Sequence, residues 1–483
     1  MDAGLTHAVN GIILVTMLIL ALLCMLPPIL EPPPARPNIV LVLADDLGVG
    51  DLGACNAGSR IPTPHMDLIA SEGLRCTDAH SASAVCSPSR YAMLTGEYAW
   101  RTPMKKWVLG AESKALIPMG TPTLASVLQQ SGYTTLGVGK WHLGLGDDDP
   151  VDWSKPITHG PCDLGFTHWQ GIPASLDMAP VTWVVDGEVE AQPTESIKGS
   201  AHRRNGGGGF WRGGKIAPGL GHADILPRTI DTACAWIAEH APADDPFFLY
   251  VPLSAPHTPW LPSDDAQGAS MAGWYGDFVV DVDRGIGRID RALQNAGVAD
   301  ETIVIITSDN GAHWPEADVS RFGHVANAQW RGQKADIHEG GHRVPFIVRW
   351  PGQLPSGRVS NVPLSLVDLM PTLARALRFD LPAEASPDGR PVDLLATSWD
   401  DRPIVHHSGD GMFALRLGRW KLIEGLGSGG FTKPKRVEPP EGAPGVQLYD
   451  LELDPSETRN VAAGHSDVVA RLQRELDRIR GDD

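Results

Sequence analysis

The sequence predicts an α/β fold. In it, helices cover both faces of a large mixed, mainly parallel sheet, and a smaller C-terminal unit adds an antiparallel sheet and a terminal helix. Two unbroken apolar runs rich in β-branched residues, 38–44 and 302–307, are typical of central strands buried on both faces. Between such runs, apolar residues recur at helical spacing, as in residues 229–240. Near the C terminus, two short strand-like runs flank Gly418 and Arg419, which indicates a hairpin.

The remaining elements follow from the same signals. Further strands of the large sheet are predicted at residues 132–138 and 247–253, and further helices at residues 123–132 and from residue 365. The C-terminal unit is expected to contain a hairpin over residues 412–423, a strand at 447–451 and a final amphipathic helix. That helix is indicated by apolar residues at helical spacing: Val468, Val469, Leu472, Leu476 and Ile479.

Two domains are expected, spanning residues 37–398 and 399–483, because a chain of 483 residues exceeds the usual size of one domain. Within the first, residues 149–226 are rich in Gly, Pro and Trp and have few helical patterns. Loops of this length in a compact domain are usually functional. We expect this insertion to form the wall of a substrate pocket.

The balance of charge limits the partners. With 58 acidic and 40 basic residues, the formal net charge is −18. An acidic surface argues against nucleic-acid binding and against docking on anionic lipid. An anionic substrate would therefore have to meet its positive charge locally, inside a site.

The N-terminal segment indicates export. Residues 11–26 are almost wholly apolar and end at Pro27, a length between that of a signal sequence and that of a membrane span. Residues 31–35 then form a stiff proline-rich spacer. We expect residues 1–36 to be an export signal or signal anchor. The rest of the chain is then periplasmic, extracellular or membrane-anchored, with membrane attachment only through residues 11–26.

Polar pairs follow the two apolar strands. Asp45 and Asp46 end the first run, and Asp309 and Asn310 end the second. In open α/β sheets, ligands bind beyond the carboxyl ends of the strands, so both pairs should lie on one rim. Three carboxylates and an amide form an all-oxygen set, which suits Ca²⁺ better than Zn²⁺.

A sequence signature begins at Cys86. Residues 86–96 read C-S-P-S-R-x-x-x-L-T-G, which resembles the signature of the type I sulfatase family, of arylsulfatase A-like type. Residues 132–142 match the second signature of that family, G-Y-x-[ST]-x-x-x-G-K-W-H, and residues 331–345 resemble its lysine loop. The resemblance extends over nearly all of the chain from Asn38 and implies an alkaline-phosphatase-like architecture.

The resemblance also implies a cofactor and a partner. In this family the signature cysteine is oxidised to Cα-formylglycine by a formylglycine-generating enzyme. The hydrated aldehyde is a diol. One hydroxyl attacks sulfur, and the other later expels sulfate by regenerating the aldehyde. A serine has no second hydroxyl and would remain sulfated. The implied Ca²⁺ ligands are the modified side chain and the polar groups of the two strand ends: Asp45, Asp46, Cys86, Asp309 and Asn310.

The remaining implied roles concern charge and protons. Arg90 is expected to hold the diol, and Asp309 to accept the proton of the attacking hydroxyl. Lys140 and Lys334 are expected to contact sulfate oxygens. His257 is the expected general acid for the leaving alcohol, with Lys334 as a possible contributor, and His142 is expected to take the proton of the second hydroxyl.

The sequence therefore predicts a sulfuric ester hydrolase acting on a sulfated small molecule or glycan, with 6-O-sulfate of a galactose-type sugar as the expected target. The alternatives are a broad arylsulfatase and a formylglycine-dependent phosphonate or phosphodiester hydrolase. A non-catalytic protein of the same fold would have degraded site residues, and none of the expected positions is degraded. Four residues are candidate sugar contacts: Asp177, His313, Trp314 and His342.

Overall fold

The structure is a computed structural model that describes residues 36–201, 209–243, 245–397 and 401–481. Residues 38–483 form one compact unit. The predicted leader, including residues 11–26, lies outside the described residues. Among the helices that the structure does describe, none is long and apolar enough to cross a membrane.

Twenty strands and nine α-helices make up the described part of the chain. The strands are β1 (Asn38–Ala44), β2 (Leu74–Cys76), β3 (Ala79–His80), β4 (Thr134–Lys140), β5 (His168–Ile172), β6 (Val184–Val185), β7 (Glu188–Val189), β8 (Glu195–Ile197), β9 (Ser200–Ala201), β10 (Phe210–Trp211), β11 (Gly214–Ile216), β12 (Phe247–Pro252), β13 (Thr302–Ser308), β14 (Phe346–Arg349), β15 (Arg358–Ser360), β16 (Leu364–Ser365), β17 (Ile404–His407), β18 (Phe413–Leu417), β19 (Trp420–Ile423) and β20 (Gln447–Asp450). The helices are α1 (Pro64–Glu72), α2 (Cys86–Thr95), α3 (Leu124–Gln130), α4 (Ile225–His240), α5 (Gly273–Asn295), α6 (Glu316–Phe322), α7 (Glu339–His342), α8 (Leu369–Leu377) and α9 (Ser466–Arg480).

The large sheet has ten strands in the order β15-β2-β14-β13-β1-β12-β4-β5-β6-β7. Its centre, from β13 through β1, β12 and β4 to β5, is parallel. Antiparallel pairing appears towards both edges, where β14 joins β13 and where β6 joins β5. This confirms the predicted mixed, mainly parallel sheet.

Alternate residues of β1 face two different cores, which explains why its sequence is apolar without a break. Val40 and Val42 pack in a core with helices α1, α4 and α5. Ile39 and Leu41 pack in a second core with helices α2, α3 and α8. A strand covered by helices on both faces has no polar side to show in its sequence.

The C-terminal strands form a separate four-stranded antiparallel sheet, β17-β18-β19-β20, followed by α9. Its second hairpin turns at Gly418 and Arg419, as predicted. Apolar residues of α9, including Leu472 and Leu476, pack in a core with strands of this sheet. The predicted fold class, with its antiparallel C-terminal sheet and final helix, is confirmed. The predicted division at residue 398 stays a prediction.

Candidate active site

The ends of three central strands converge at one rim of the sheet. Strands β1 and β13 run in register, with Ala44 beside Ser308, so the next residues, Asp45 and Asp309, are neighbours. The backbone N–H of Asp46 donates to Asp309 Oδ1 at 3.3 Å. Lys140, the last residue of β4, reaches the same point and donates from Nζ to Asp45 Oδ2 at 2.6 Å. Parallel strand pairing therefore brings together groups that are 263 residues apart.

Cys86 is the first residue of α2 and lies against this rim. Its side chain is buried, and Sγ lies 3.5 Å from Asp45 Oδ1. Burial raises the pKa of the thiol well above its ordinary value, although Lys140 and Lys334 oppose the shift. An unmodified Cys86 is therefore a neutral thiol at physiological pH, and a thiol is a poor nucleophile compared with a thiolate.

The rim carboxylates are buried and matched by buried cations. Burial by itself would raise the pKa of Asp45, but Lys140, His257 and Arg90 outweigh it and hold that pKa well below its usual range. Lys334 lies 2.8 Å from Asp46 Oδ1 and 2.9 Å from Oδ2, and it lowers the pKa of that carboxyl in the same way.

Asp309 behaves differently from its two neighbours. Burial and the negative charge of Asp45 raise its pKa, and Arg90 offsets this only in part. Arg90, one helical turn after Cys86, donates from Nε to Asp309 Oδ2 at 2.8 Å and from Nη1 to the carbonyl of Lys140 at 2.9 Å. The guanidinium therefore holds α2, β4 and β13 in fixed positions around the thiol.

Two histidines border the site in defined orientations. His142 Nε2 lies 2.9 Å from the carbonyl of Leu109, which can only accept, so Nε2 carries the hydrogen. Its buried Nδ1 has no hydrogen-bond partner among the described residues. Burial, together with Lys140 and Arg90, holds the pKa of His142 well below 6.5, so Nδ1 presents a lone pair.

His257 is oriented in the opposite sense. Its Nδ1 lies 2.6 Å from the carbonyl of Thr258, so Nδ1 carries the hydrogen. Its Nε2 lies 3.7 Å from Asp46 Oδ2. The backbone φ angle is +61° at His142 and +67° at Asp46, and residues other than glycine rarely adopt positive φ values. Such strain is concentrated at functional sites in proteins.

The rim opens into a cavity of about 230 Å³. Its lining combines the catalytic candidates with side chains of the insertion: Asp46, Cys86, His142, Ser175, Asp177, Met178, Phe210, Arg212, His257, His313 and Lys334. Asp177 Oδ2 accepts from Arg212 at 2.6 Å, whereas its Oδ1 and the hydroxyl of Ser175 have no hydrogen-bond partner in the described structure. The insertion thus supplies part of the cavity wall, as expected from its length.

The donor set at the rim fits a hard divalent cation. Asp45, Asp46, Cys86 and His257 each offer one ligand atom, and these atoms lie within 4.8 Å of one another. Asn310 Oδ1 is buried and accepts no hydrogen bond from the described residues, so a polar atom is available for a ligand. Asp45, Asp46 and Asn310 would bind a cation through oxygen, which favours Ca²⁺ over Zn²⁺. The two other groups near this point are the Cys86 thiol and His257, and the sequence assigned His257 to acid catalysis.

Two of the four predicted sugar contacts lie elsewhere. Asp177 and His313 line the cavity. Trp314 is instead buried against Tyr275, with ring centroids 4.9 Å apart, and its Nε1 donates to the carbonyl of His324. Trp314 therefore does not line this cavity, although it borders the larger cavity next to it.

His342 is also misplaced by the prediction, because it belongs to a second buried cluster. We call the side chains of His80, His342, His406, Glu339 and Lys421 the histidine cluster. Lys421 Nζ lies 3.0 Å from His342 Nε2 and 3.0 Å from Glu339 Oε1. The Nδ1 atoms of His342 and His80 are 3.1 Å apart. His342 is fully buried there and has no access to sugar.

Hydrogen bonds engage both ring nitrogens of His342 and of His80 in the histidine cluster. Lys421 can only donate, so His342 accepts at Nε2 and carries its hydrogen on Nδ1. That hydrogen points to His80 Nδ1, and His80 Nε2 lies 2.7 Å from Asp78 Oδ1 and 3.1 Å from Arg416 Nη1. Although the three imidazoles come within 4.8 Å of one another, the lone pairs of His80 and His342 are already engaged. The cluster is therefore structural.

Phe431 was not among the predicted sugar contacts, yet the C-terminal unit contributes it to the cavity. Phe431, between β19 and β20, lines the cavity together with Trp107, and their rings stack with centroids 5.9 Å apart. The segment around Phe431 packs on the loop of Lys334: Gly430 lies where a Cβ would collide with the backbone of Ala335. Only tertiary packing reveals this contact, since the two segments are almost 100 residues apart.

Comparisons with known proteins identify the family. The family model named Sulfatase matches residues 37–379. The chain is also 32% identical to an N-acetylgalactosamine-6-O-sulfatase of Bacteroides thetaiotaomicron, over 92% of this chain and 93% of that protein. The chain belongs to the type I sulfatase family. It is therefore a sulfuric ester hydrolase, and this prediction is confirmed.

Other relatives show how widely the family varies. This sulfatase is 34% identical to the N-acetylgalactosamine-6-sulfatase of Homo sapiens, over 80% of this chain and 71% of the relative. It is 33% identical to the steryl-sulfatase of Mus musculus, over 78% of this chain and 67% of the relative. A solved structure from work on glycosaminoglycan metabolism by Bacteroides thetaiotaomicron has 32% identity and a TM-score of 0.82, covering 92% of this chain and 100% of that chain.

Proposed function

We propose that this sulfatase removes 6-O-sulfate from galactose-type sugars, using Cα-formylglycine formed from Cys86 and a bound Ca²⁺. The observation that carries the proposal is the arrangement around Cys86. Three cations, Arg90, Lys140 and Lys334, surround it at the inner end of a cavity of about 230 Å³. The names of the relatives, which include several N-acetylgalactosamine-6-sulfatases, support the sugar and the position.

The state of Cys86 supports the modification. As a thiol it is buried and its pKa is raised, so it would remain protonated and unreactive. Hydrated formylglycine would supply one hydroxyl that attacks sulfur and a second that, on losing its proton, would re-form the aldehyde carbonyl as the bond from carbon to the sulfate oxygen breaks and sulfate leaves. Ca²⁺, held by Asp45, Asp46, Asp309, Asn310 and the modified side chain, would polarise a sulfate oxygen.

Fixed positive charge is the contribution of the two lysines. Lys334 is buried, and burial by itself lowers the pKa of a lysine. The negative charge of Asp46 outweighs this effect and raises the pKa of Lys334 above its ordinary value, so the ammonium stays charged. Lys140 is held by Asp45. Groups of this kind, oriented before the reaction, stabilise charge that develops on the transferring group without reorganising at that moment.

Proton transfer is divided between the two histidines and Asp309. The raised pKa of Asp309 suits a carboxylate that accepts a proton from the attacking hydroxyl. His142 presents a neutral Nδ1, which can take the proton of the second hydroxyl when sulfate leaves. His257, which donates from Nδ1 to Thr258, would give a proton from Nε2 to the leaving sugar oxygen.

The cavity suits a single terminal sugar. Its volume of about 230 Å³ lies below the ~300–1,000 Å³ typical of pockets for drug-sized ligands. Asp177 Oδ1, which lies 3.9 Å from His257 Nδ1, and the Ser175 hydroxyl make no hydrogen bond to the described residues at its wall, and sugar hydroxyls would pair with them. We therefore propose exo-acting removal of sulfate from a terminal unit, with weaker turnover of small aryl sulfates. We also propose that the enzyme acts outside the cytoplasm.

The test has two parts. Peptide mass spectrometry after expression with a formylglycine-generating enzyme should find that the Cys86 peptide has lost sulfur and gained oxygen. A panel of defined sulfated mono- and disaccharides, an aryl sulfate and a phosphodiester should then give fastest turnover with the 6-O-sulfated galactose-type sugar. An unmodified thiol in fully active enzyme would exclude the modification. Turnover of the aryl sulfate alone, or preference for internal sulfates of polymers, would exclude the proposed substrate.

A chelation experiment tests the metal separately. After removal of metal, Ca²⁺ should restore activity, because the donor set consists mainly of oxygen. Restoration by Zn²⁺ but by neither Ca²⁺ nor Mg²⁺ would contradict the assignment.

A further inference from the structure

A second, larger cavity adjoins the sulfate pocket. This groove has a volume of about 600 Å³ and is bordered by α6, by residues 325–333 and by residues 431–433. Phe431 lines both the groove and the pocket, so the two cavities share a wall. We propose that the groove binds the sugar attached to the sulfated terminal unit, and that it prefers a sugar carrying a carboxylate. The proposal rests on the sulfatase function proposed above and extends it to the leaving group.

The position of Phe431 supports continuity between the cavities. Its side chain is 38% exposed although it stacks on Trp107 and contacts the His313 ring edge-on at 5.2 Å. The part of the ring that stays exposed can contact apolar CH groups of a ligand. The pocket is too small for a second sugar, and the groove begins at this ring, so we place the next sugar of a glycan in the groove.

The charge of the groove favours an anion. Its charged lining residues are Glu316, Arg331 and Lys433, one negative and two positive. A positive balance is unusual on a chain with a net charge of −18. Arg331 is partly held in place, since its Nη1 donates to the hydroxyl of Tyr449 at 3.2 Å. Guanidinium groups form strong, directed hydrogen bonds with carboxylates.

The groove also contains apolar surface and an available acceptor. Trp330 and the 42% exposed Val325 supply apolar surface. Gln333 is 6% exposed and donates to Thr432, while its Oε1 accepts no hydrogen bond from the described residues. An aromatic surface, an amide and a cation are the groups that would contact, respectively, the face, the hydroxyls and the carboxylate of an acidic sugar.

The first experiment fills the groove. Ala317→Trp places a large side chain on an exposed lining position of α6, and Ser320→Trp puts the same side chain on an exposed position of α6 outside the lining. For each enzyme, kcat/KM is measured for a 6-O-sulfated monosaccharide and for the same unit linked to a uronate or to a neutral hexose. We expect the uronate disaccharide to exceed the monosaccharide about tenfold in the wild type and in Ser320→Trp. We expect this ratio to fall to near one in Ala317→Trp.

The second experiment tests charge. Lys433→Glu should reduce the preference for the uronate over the neutral disaccharide, since it reverses a charge while leaving the volume of the groove similar. An unchanged ratio in both Ala317→Trp and Lys433→Glu would overturn the proposal. Equal loss in Ala317→Trp and Ser320→Trp would do so as well, because only the former occupies the groove. Thermal unfolding of each variant checks that it is folded.

An inhibition assay separates this proposal from the function on which it rests. The unsulfated uronate disaccharide should inhibit hydrolysis of an aryl sulfate by the wild type, and about tenfold less well in Ala317→Trp. If no sugar sulfate is hydrolysed but this inhibition is found, the proposed substrate is wrong and the groove is supported. If sugar sulfates are hydrolysed without this inhibition, the proposed function stands and the groove proposal is wrong.

Discussion

Two regions of this sulfatase bury many charged and titratable groups, yet only one of them is a site. The rim beside Cys86 and the histidine cluster each combine carboxylates, lysine and imidazole with almost no exposure. At the rim, Asn310 Oδ1 and His142 Nδ1 lack partners, and a cavity opens above the thiol. In the cluster, both ring nitrogens of His342 are engaged, and His406 Nε2, which lacks a hydrogen-bond partner among the described residues, lies outside the cavity at the rim. Burial and charge are thus common to both; atoms left available beside open space distinguish the site.

The largest effect should come from Cys86, at the centre of the first region. Cys86→Ala removes the residue from which we propose that the nucleophile is formed, and we expect turnover of an aryl sulfate to fall by ~10⁴-fold or more. The unfolding temperature should change little, because a thiol and a methyl group differ by few contacts. Retention of a tenth of the activity would contradict the assignment of this region as the site.

Removal of His257 should separate substrates by their leaving groups. A sugar alcohol needs a proton as it departs and nitrophenolate does not, so His257→Ala should slow sugar sulfates by ~10²–10⁴-fold while affecting a nitrophenyl sulfate far less. The measurement is kcat for both substrates in the same preparation. Equal losses on both would remove His257 from the acid role.

A matched pair of buried lysines compares the two regions directly. Lys334→Met should lower kcat by ~10²–10³-fold, because it removes a cation that faces the transferring group. In the wild type, Lys421 Nζ lies 3.0 Å from Glu339 Oε1 and 2.8 Å from Glu457 Oε1. Lys421→Met leaves both glutamates buried without this cation. Breaking such a pair costs ~3–5 kcal/mol of unfolding free energy. Lys334→Met also breaks a buried pair, with Asp46, so denaturant titration should show a loss of stability in both variants, whereas kinetics should show the loss of kcat in Lys334→Met alone. A comparable loss of kcat in folded Lys421→Met would contradict the comparison.

The smallest effect concerns pH and the histidine cluster. Burial lowers the pKa of His80, His342 and His406 below 6.5. Below pH 6.5 the unfolded chain takes up protons that the folded chain excludes, so each of these histidines costs up to ~1.4 kcal/mol of stability per pH unit. Glu457 acts in the opposite sense, because burial raises its pKa and the folded chain then holds an additional proton.

A single variant isolates one histidine of the cluster. His406 stacks on His342 at 3.8 Å, so His406→Phe keeps an aromatic ring there and removes one titration. Its unfolding free energy, measured from pH 6.5 to 5, should fall less steeply than that of the wild type by ~1.4 kcal/mol per pH unit. Parallel curves would mean that His406 is not neutral in the folded protein.

Features that neighbouring residues in the sequence determine could be predicted, and features that depend on distant contacts could not. Apolar strands ending in Asp45 and Asp309 could be recognised because a strand buried on both faces has a continuous apolar sequence, and parallel pairing then brings the ends together. His342 and Trp314 could not be placed, since a histidine or tryptophan in a loop gives no indication of the direction of its side chain. His342 meets its partners His80 and Lys421 across 262 and 79 residues. Phe431 was missed for the same reason.

The contact between residues 428–432 and the loop of Lys334 has a consequence for how this enzyme can change. Ile337 N–H donates to the carbonyl of Ser428, and the N–H of Thr432 donates to Asp336 Oδ1, so this short stretch is fixed beside Lys334. Residues 433–445, which follow, are exposed. Exposed loops tolerate insertions and substitutions at little thermodynamic cost. Substrate range can therefore diversify through residues 433–445 next to the groove while the lysine keeps its position.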